Sequence, residues 1–371
     1  MTKQKLTDQA KAMLPELQKI RRDLHQIPEF GLDLPKTLAR VLEEISPLGE
    51  ITIGKELTSA VLLIKGSKPG PTVLLRADMD ALSVTEDTNL DFASSNSFMH
   101  ACGHDLHMAI GIGAARLIHS EKENLEGDVI IWFQPGEEGH HGADIMIEEG
   151  ALMVSGQKPI AAYGLHVFSS YPAGLFGSKA GALMASAGDM EVTFTGLGGH
   201  GSMPWLSKDP ITPMAEAMTS LQNMVTKRFN AFDPVIINIG WVRAGDTATT
   251  NVIPETASFG ATVRTFSKEN SDKLKIYAEE LMQGIAKSFG VSVEVSFSRA
   301  TKVLMNDPKA THKVEQLTAE LFGAKRYLNL DAPIAGGEDF ASIVAEVPGA
   351  FVFLGACPEG VDYKTAATNH S

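Results

Sequence analysis

Apolar positions follow two rhythms along the chain, and each predicts its own kind of element. From Lys5 to Gln26, the residues Leu6, Ala10, Met13, Leu14, Leu17, Ile20 and Leu24 recur at helical spacing among charges. They predict an amphipathic opening helix that ends before Pro28. Pro15 falls inside that stripe, so a kink or a break into two helices is expected there, because proline removes a helical N–H donor. From about Ala60 the rhythm gives way to unbroken apolar runs, AVLLIKG and PTVLLRADMDAL, of the kind buried strands carry. Residues 108–120, rich in Ala, Gly and Ile, predict a helix packed on that sheet. GDVIIWFQPGEEG predicts a further strand stopped by Pro135 and Gly136, and AAYGLHV another. Strands alternating with helices place this part in the α/β class, with a mixed or parallel sheet carrying helices on both faces.

Near Gly181 the pattern changes. AGDMEVTFTGLGGHGS alternates as a half-exposed strand does and runs into a Gly-rich turn. PITPMAEAMTSLQNMVTKRF predicts a helix with Pro213 near its start, its Met214, Met218 and Met224 reading as helix-face core. VIINIGWVRAG, TASFGATVRTF, a helix around Lys273 to Phe289 and VSVEVSFSRA complete a β-α-β-β-α-β order. That order predicts a four-stranded sheet with two helices on one face, a ferredoxin-like α+β unit. The expected division is a discontinuous first domain, residues 1–181 and 298–371, with an inserted domain at 182–297.

Composition narrows the partners. Among 371 residues, 32 are basic and 45 acidic, a formal charge of −13 that repels nucleic acid and anionic membranes at long range. Hydrophobic residues make up 44 % and charged residues 21 %, a globular balance rather than a disordered one. Cys102 and Cys357 are the only cysteines, which rules out a disulfide scaffold and points to a reducing compartment. MTKQKLTDQA lacks the apolar core of a signal peptide, and no apolar run approaches about 18 residues. A cytoplasmic location is therefore expected.

The polar residues that interrupt the strand ends carry the candidate chemistry. In HACGHDLH, Cys102, His104, Asp105 and His107 offer thiolate, imidazole and carboxylate close enough to converge on one metal. The same residues also read as a helix start capped by Asp105, or as a Cys102 nucleophile with a histidine base. After the strand that ends at PGEEG, Glu137 and Glu138 point in different directions, so one can bind a metal while the other serves as a base. On these residues alone, a solvated acidic turn is the favoured reading. His166 in AYGLHV reads as a ligand or as a core histidine, and Asp78 and Asp80 in RADMDAL share one strand face. His200 stands on the Gly-rich turn, Asn251 and Arg264 near strand ends. Gly336 and Gly337 precede Glu338 and Asp339 in GGEDF, where backbone amides can approach an anion or simply form a turn.

Taken together and in order, RRDLHQIPEFG, RADMDAL, MHACGHDLH, FQPGEEG, GLHV, GGHGSMP, TNVIP, VRTF, GGEDF and NHS resemble the two-metal aminoacylase/carboxypeptidase family across nearly the whole chain. The resemblance is to the branch of hippurate hydrolases, auxin-conjugate hydrolases and N-acetyldiaminopimelate deacetylases. It implies a metal-dependent amidohydrolase that cleaves N-acyl (N-acetyl or N-aroyl) amino acids, with a small-peptide carboxypeptidase or dipeptidase as the alternative and a cysteine hydrolase using Cys102 further off. It implies two divalent ions per subunit, zinc or manganese first and cobalt or nickel as alternatives, held by Cys102, His104, Glu138, His166 and His370. Glu137 becomes the base that takes a proton from the attacking water, with Asp80 supporting the centre and Asp78 less clearly so. His200 resembles a lid histidine that crosses a homodimer interface, and Asn251, Arg264, Gly336 and Gly337 occupy expected substrate-binding positions. On this reading the first domain is catalytic and the insert is a lid and dimerisation domain.

The chain departs from that family's pattern in three places. His140 and His141 follow GEEG where relatives carry glycines, and are expected to reshape the pocket mouth. Ser83 stands where proline is common. Relatives continue through a terminal helix beyond the position of Ser371, so a shortened chain is among the expectations.

Overall fold

The computed structural model describes residues 3–366 and 368–370, so the expectation about Ser371 lies outside the described residues. The opening helix α1 (Lys3–His25) runs through Pro15 as one element rather than breaking into two. Leu17, Ile20 and Leu24 continue its apolar stripe beyond the proline into the core, which offsets the one lost hydrogen bond. There follow α2 (Pro35–Ile45), β1 (Glu50–Ile53), β2 (Ala60–Lys65), β3 (Lys68–Asp78), α3 (His104–Ser120), β4 (Glu126–Gln134), α4 (Gly142–Glu148), β5 (Ala161–Pro172) and β6 (Phe176–Ser178). The middle of the chain forms β7 (Gly181–Met184), β8 (Ser186–Thr195), β9 (Gly199–His200), α5 (Ile211–Arg228), β10 (Val235–Ala244), β11 (Val252–Ile253), β12 (Thr256–Thr265), α6 (Lys268–Phe289) and β13 (Ser292–Phe297). The last part holds β14 (Leu304–Asn306), α7 (Pro308–Phe322), β15 (Tyr327–Asn329), α8 (Phe340–Glu346) and β16 (Gly349–Cys357).

The chain divides into two units, one of residues 1–183, 305–332 and 339–371, the other of residues 184–304 and 333–338. In the first, eight strands lie in the order β1-β2-β4-β3-β5-β16-β6-β15. Strand β3 runs parallel to β4 and β5, and β16 parallel to β5, while β2 is antiparallel to β4, so the sheet is mixed. Alternation decides what each face buries. Leu62 and Ile64 of β2 and Ile131 and Phe133 of β4 join Ile20, Leu24, Val41, Ile45, Met108 and Ile112 from α1, α2 and α3 in one core. The intervening Val61, Leu63, Ile130 and Trp132 are equally buried, as are Met146 of α4 and Phe340 and Ile343 of α8. Both faces are thus covered, which is why these strands read as continuous apolar runs. Register sets Asp78 beside Gln134, so the polar ends of β3 and β4 open side by side at one edge of the sheet.

The second unit has strand order β10-β12-β8-β13 with every neighbour antiparallel. The succession β8, α5, β10, β12, α6, β13 is the expected ferredoxin-like one. Val192, Phe194, Ile237 and Phe259 face Met214, Leu221, Leu274 and Met282 of the two helices, so both helices cover the same face. At Gly260 an added Cβ would lie 2.1 Å from the Trp241 indole nitrogen, and only glycine lets that ring sit flat on the strand. Among the described residues, no helix is long and apolar enough to cross a membrane.

Phe133 is fully buried between β4 and α3. Its replacement by alanine is expected to lower stability by about 3–5 kcal/mol. Urea unfolding measures this, and a loss under about 1 kcal/mol would contradict the packing described.

Candidate metal centre

The candidate ligands come from the turn into α3, the turn after β4, the middle of β5 and the segment after β16. Gly103 is the pivot of the Cys102–His104 turn. Its φ is +88°, and a Cβ there would lie 2.4 Å from Val167 Cγ2, so no other residue fits. That turn throws Cys102 and His104 to one point. His104, fully buried at the start of α3, donates from Nδ1 to the Asp80 carbonyl at 2.7 Å, and its buried Nε2 has no hydrogen-bond partner. On β5, His166 donates from Nδ1 to the Val167 carbonyl at 2.7 Å and brings Nε2 to 3.3 Å from Cys102 Sγ. His370 Nε2 lies 3.1 Å from the same sulfur and 3.2 Å from Glu138 Oε1. Asp80 accepts from the backbone N–H of Glu137 at 3.0 Å and of Glu138 at 2.9 Å, fixing both glutamates through their main chain.

These groups form three overlapping triads: Cys102, His104 and His166; Cys102, Glu138 and His370; and His104, Glu137 and Glu138. Within each triad the ligand atoms lie within 4.8 Å of one another. Burial opposes ionisation of the Cys102 thiol, but the imidazoles of His104, His166 and His370 outweigh it and hold the pKa at about 2. The thiolate in turn, with Glu138, pushes His370 up to about 10. Burial opposes protonation of His104, yet Asp78, Asp80 and the thiolate raise its pKa well above the usual imidazole range. Burial, helped by the Cys102 thiolate, raises Glu138.

A further triad, Asp78, His104 and His107, also satisfies the distance, and its chemistry separates it from the others. His107 Nδ1 donates to Asp78 at 2.5 Å, and its Nε2 accepts from the Val167 N–H at 2.9 Å, so both ring nitrogens are committed. Burial pushes its pKa down to about 4, which keeps the ring neutral, as that acceptor role requires. His107, weighed in the sequence as a ligand, is instead a strut between β3 and β5. Asp78 is held by the Arg76 guanidinium, which also donates to Gln134 Oε1 at 3.0 Å and to Asp339 at 2.9 Å. Gln134 Nε2 and the Ala143 N–H complete the shell of Asp339. Asn369 donates to the carbonyls of Cys102 at 3.2 Å and Val167 at 3.1 Å, pinning the segment that carries His370. The sequence reading missed Arg76, Gln134 and Asn369 as parts of the centre. Arg76 and Gln134 stand within two places of the ends of β3 and β4, and Asn369 directly precedes His370, which were the available signals.

The remaining candidates lie in the second unit, in two groups. His200 on β9 pairs with Val252, and Gly201 N–H donates to the Asn251 carbonyl at 2.7 Å, so His200 and Asn251 are neighbours. Arg264 donates from Nε to the Ala335 carbonyl at 3.1 Å and from Nη1 to the Val263 carbonyl at 2.8 Å. Gly336 accepts from the Ala185 N–H at 3.0 Å, and a Cβ on Gly337 would lie 2.6 Å from that of Ala187. Arg264, Gly336 and Gly337 therefore gather at the Ala187 end of the sheet, the partner of Arg264 in register. His200 and Asn251 lie beyond its Thr195 end.

Residues 74–370 match the model of peptidase family M20/M25/M40. The chain belongs to that family. It is 35 % identical over 342 residues to thermostable carboxypeptidase 1 of Saccharolobus solfataricus, covering 91 % of this chain and 84 % of that one. It is 36 % identical over 349 residues to N-acetylcysteine deacetylase of Bacillus subtilis, covering 93 % and 89 %. Its fold matches the Bacillus subtilis YXEP protein, described as a dinuclear metal-binding M20 peptidase, with a TM-score of 0.79, 33 % identity and coverage of 93 % and 89 %. The M20 chain is therefore a metal-dependent hydrolase, and its donor set fits such a centre. A buried atom that lacks a hydrogen-bond partner, His104 Nε2, points into a cluster of thiolate, imidazole and carboxylate.

Behind His104, Asp105 does not cap α3, as the helix-start reading had it; Gly103 occupies that position. Asp105 is instead buried against Arg21 and His25, at 2.7 Å from each, and His25 reaches Glu86 at 3.2 Å. Burial opposes its ionisation, but hydrogen bonding to His25 and the charges of His100 and Arg21 hold its pKa at about 2. A depressed carboxyl pKa stabilises the fold above the unfolded-state value, and that stability is lost as pH falls through the folded-state value. Asp105→Asn is therefore expected to cost roughly 2 kcal/mol at neutral pH. The gap to the parent protein should hold from about pH 4 up to the raised His25 titration and narrow toward pH 2, as read from urea unfolding at a series of pH values. A gap independent of pH would contradict the ion-pair assignment.

Proposed function

We propose that this M20 hydrolase cleaves the amide bond of N-acyl amino acids, releasing a carboxylic acid and a free amino acid. The observation that carries this reading is the pairing of adjacent glutamates, Glu137 and Glu138, both anchored by Asp80 beside the Cys102–His104–His166–His370 cluster. Cys102, His104, Glu138, His166 and His370 are the groups that would hold two divalent ions, zinc or manganese first, and Cys102 belongs to two of the triads. Bound there, such ions lower the pKa of water from about 16 to near 7 and polarise a carbonyl. Glu137 then takes the proton from the attacking water and passes it to the leaving amine. Asp80 keeps Glu137 aimed, and His200 supplies a donor to the developing oxyanion. The names of the similar proteins, one a carboxypeptidase and one a deacetylase, support both an acyl-amino-acid substrate and the peptide alternative.

The second unit serves in this reading as lid and dimerisation domain. Arg264, Gly336 and Gly337 lie at the Ala187 end of strand β8, His200 and Asn251 beyond its Thr195 end. About eight residues of strand separate the two groups, roughly 27 Å at about 3.4 Å per residue, so one substrate cannot touch both. Two copies resolve this: Arg264 and the glycines serve one centre while His200 and Asn251 serve the partner's. Edge strand β10, with Ile236, Trp241 and Val242 exposed, offers an unpaired surface for such a homodimer. The two unpaired cysteines support a reducing, cytoplasmic location.

Hydrolysis of a panel of N-acyl amino acids and dipeptides, with chelator and then metal add-back, tests the reaction. Chelator-sensitive turnover restored by one metal is expected, and activity untouched by prolonged chelation would point to Cys102 chemistry instead. Glu137→Gln should retain metal and lose about 10²–10⁴-fold in kcat. Near-normal turnover in the metal-loaded variant would remove the base assignment. Mixing inactive Glu137→Gln and His200→Ala proteins should restore roughly a quarter of the parent activity, since about half the dimers are mixed and each has one intact site. No recovery on mixing would place His200 in its own subunit's chemistry.

A further inference from the structure

Helices α1 and α3 of the first unit run antiparallel. Lys5 pairs with Glu121 at 3.0 Å near one end, and Arg21 with Asp105 at 2.7 Å near the other. They approach closely where α3 has no side chain, since a Cβ on Gly113 would lie 2.9 Å from Leu17 Cδ1. Nearer the start of α3, Ile110 and Leu106 face α1 across a cavity of 340 Å³, closed at one end by Phe92. Every residue lining it belongs to the first unit, and none is a candidate metal ligand or base. A space of this size accepts a small molecule.

The lining combines two kinds of surface. Leu14, Leu17, Leu106 and Ile110 make an apolar wall. Leu14 belongs to the apolar stripe of α1, yet it is 51 % exposed, and Ile110 is 39 % exposed, so the stripe runs past the core and ends in solvent. At the Phe92 end stand two guanidinium groups, Arg21 at 5.1 Å and Arg22 at 4.8 Å from the ring centroid. His25 meets the same ring edge-on at 5.5 Å and fixes it from the core side. The two arginines differ in what else they hold. Arg21 is neutralised by the buried Asp105, whereas Arg22 is exposed and, among the described residues, pairs with no carboxylate. One uncommitted guanidinium at the end of an apolar wall is the complement of a chain that ends in a single anionic fork. A doubly charged phosphate head would need a second free cation, which Arg21 does not supply.

We propose that this cavity is a binding site for a carboxylate with an apolar chain, the chain lying along Leu14, Leu17, Leu106 and Ile110 and the carboxylate on Arg22 beside Phe92. The site is independent of the amide-hydrolysis reading, and either can fail without the other.

The probe is octanoate, titrated calorimetrically into the metal-loaded enzyme, with octanol as the ligand that has the chain without the charge. A saturable octanoate site is expected, with an affinity about tenfold or more above that for octanol. Arg22→Met keeps the reach of the side chain and removes its charge, so it should weaken octanoate about tenfold and leave octanol unchanged. Ile110→Gln should weaken both ligands. Both positions are exposed and stand outside the centre, so both variants should fold and turn over substrate as the parent protein does. Octanoate binding that neither substitution weakens lies elsewhere, the metal centre included, and overturns the proposal. So does the absence of a saturable octanoate site. Equal affinity of the parent protein for octanoate and octanol overturns the carboxylate recognition by Arg22.

Discussion

A single buried guanidinium underlies the polar interior of the first unit. Arg76 has a side chain 1 % exposed, and it joins Asp78 at the end of its own strand, Gln134 at the end of β4 and Asp339 at the start of α8. A charge taken that far from water is tolerable only with its partners in place, so three segments distant in sequence must meet for any of them to be stable. Burial opposes the ionisation of Asp78, but Arg76, His104 and His107 together pull its pKa well below the usual carboxylate range. Asp339 shares the same guanidinium yet is dominated by burial and shifted upward. From Asp78 the network continues through His107 to the Val167 N–H, next to His166. The arrangement of the ligands is in this way tied to the packing of the whole sheet.

The centre itself concentrates groups that would repel or desolvate one another if each stood alone. Cys102 carries the negative charge that stabilises the surrounding imidazoles, and they in turn keep the sulfur ionised. Such a cluster is a poor place for neutral side chains and a good one for divalent cations, which need deprotonated sulfur and oriented ring nitrogens. Orientation comes from the backbone: carbonyls of Asp80 and Val167 fix which nitrogen His104 and His166 present. Asp80 acts twice, through its carbonyl on His104 and through its carboxylate on the Glu137 and Glu138 amides. The candidate ligands His104 and Glu138 and the proposed base Glu137 are therefore set by the same residue.

The second unit obeys a different economy. Its sheet is covered by helices on one face only, and its polar residues are spent first on its own architecture. Arg264 illustrates this: its Nε and Nη1 donate to backbone carbonyls, anchoring the 333–338 segment that carries Gly336 and Gly337. A residue expected from the sequence to bind substrate thus also holds the loop on which two other expected residues stand. The separation of these residues from His200 and Asn251 is a property of strand length, which no local substitution alters.

Much of this was legible in the linear chain. Continuous apolar runs at 60–65, 68–78 and 126–134 marked strands buried on both faces, and the β-α-β-β-α-β succession marked the ferredoxin-like insert, because periodicity records which faces are buried. Cys102, His104, Glu137, Glu138, His166 and His370 stood out through their motifs, since ligand chemistry restricts residue type at each place. Residue type and spacing alone did not distinguish His104 from His107, two imidazoles three positions apart on one helix; only the family resemblance singled out His104. Their roles differ only because the Val167 N–H and Asp78 lie within reach of one ring and not the other in the same way. Nor could it show that Pro15 leaves α1 whole, that Asp105 is buried against Arg21 and His25, or that Phe30, Phe98 and His140 meet. Residue type and local periodicity are properties of the chain, and they determined the elements and the donor inventory. Which donors are consumed by structure and which remain for chemistry depends on contacts across tens to hundreds of residues, and only the tertiary structure makes those.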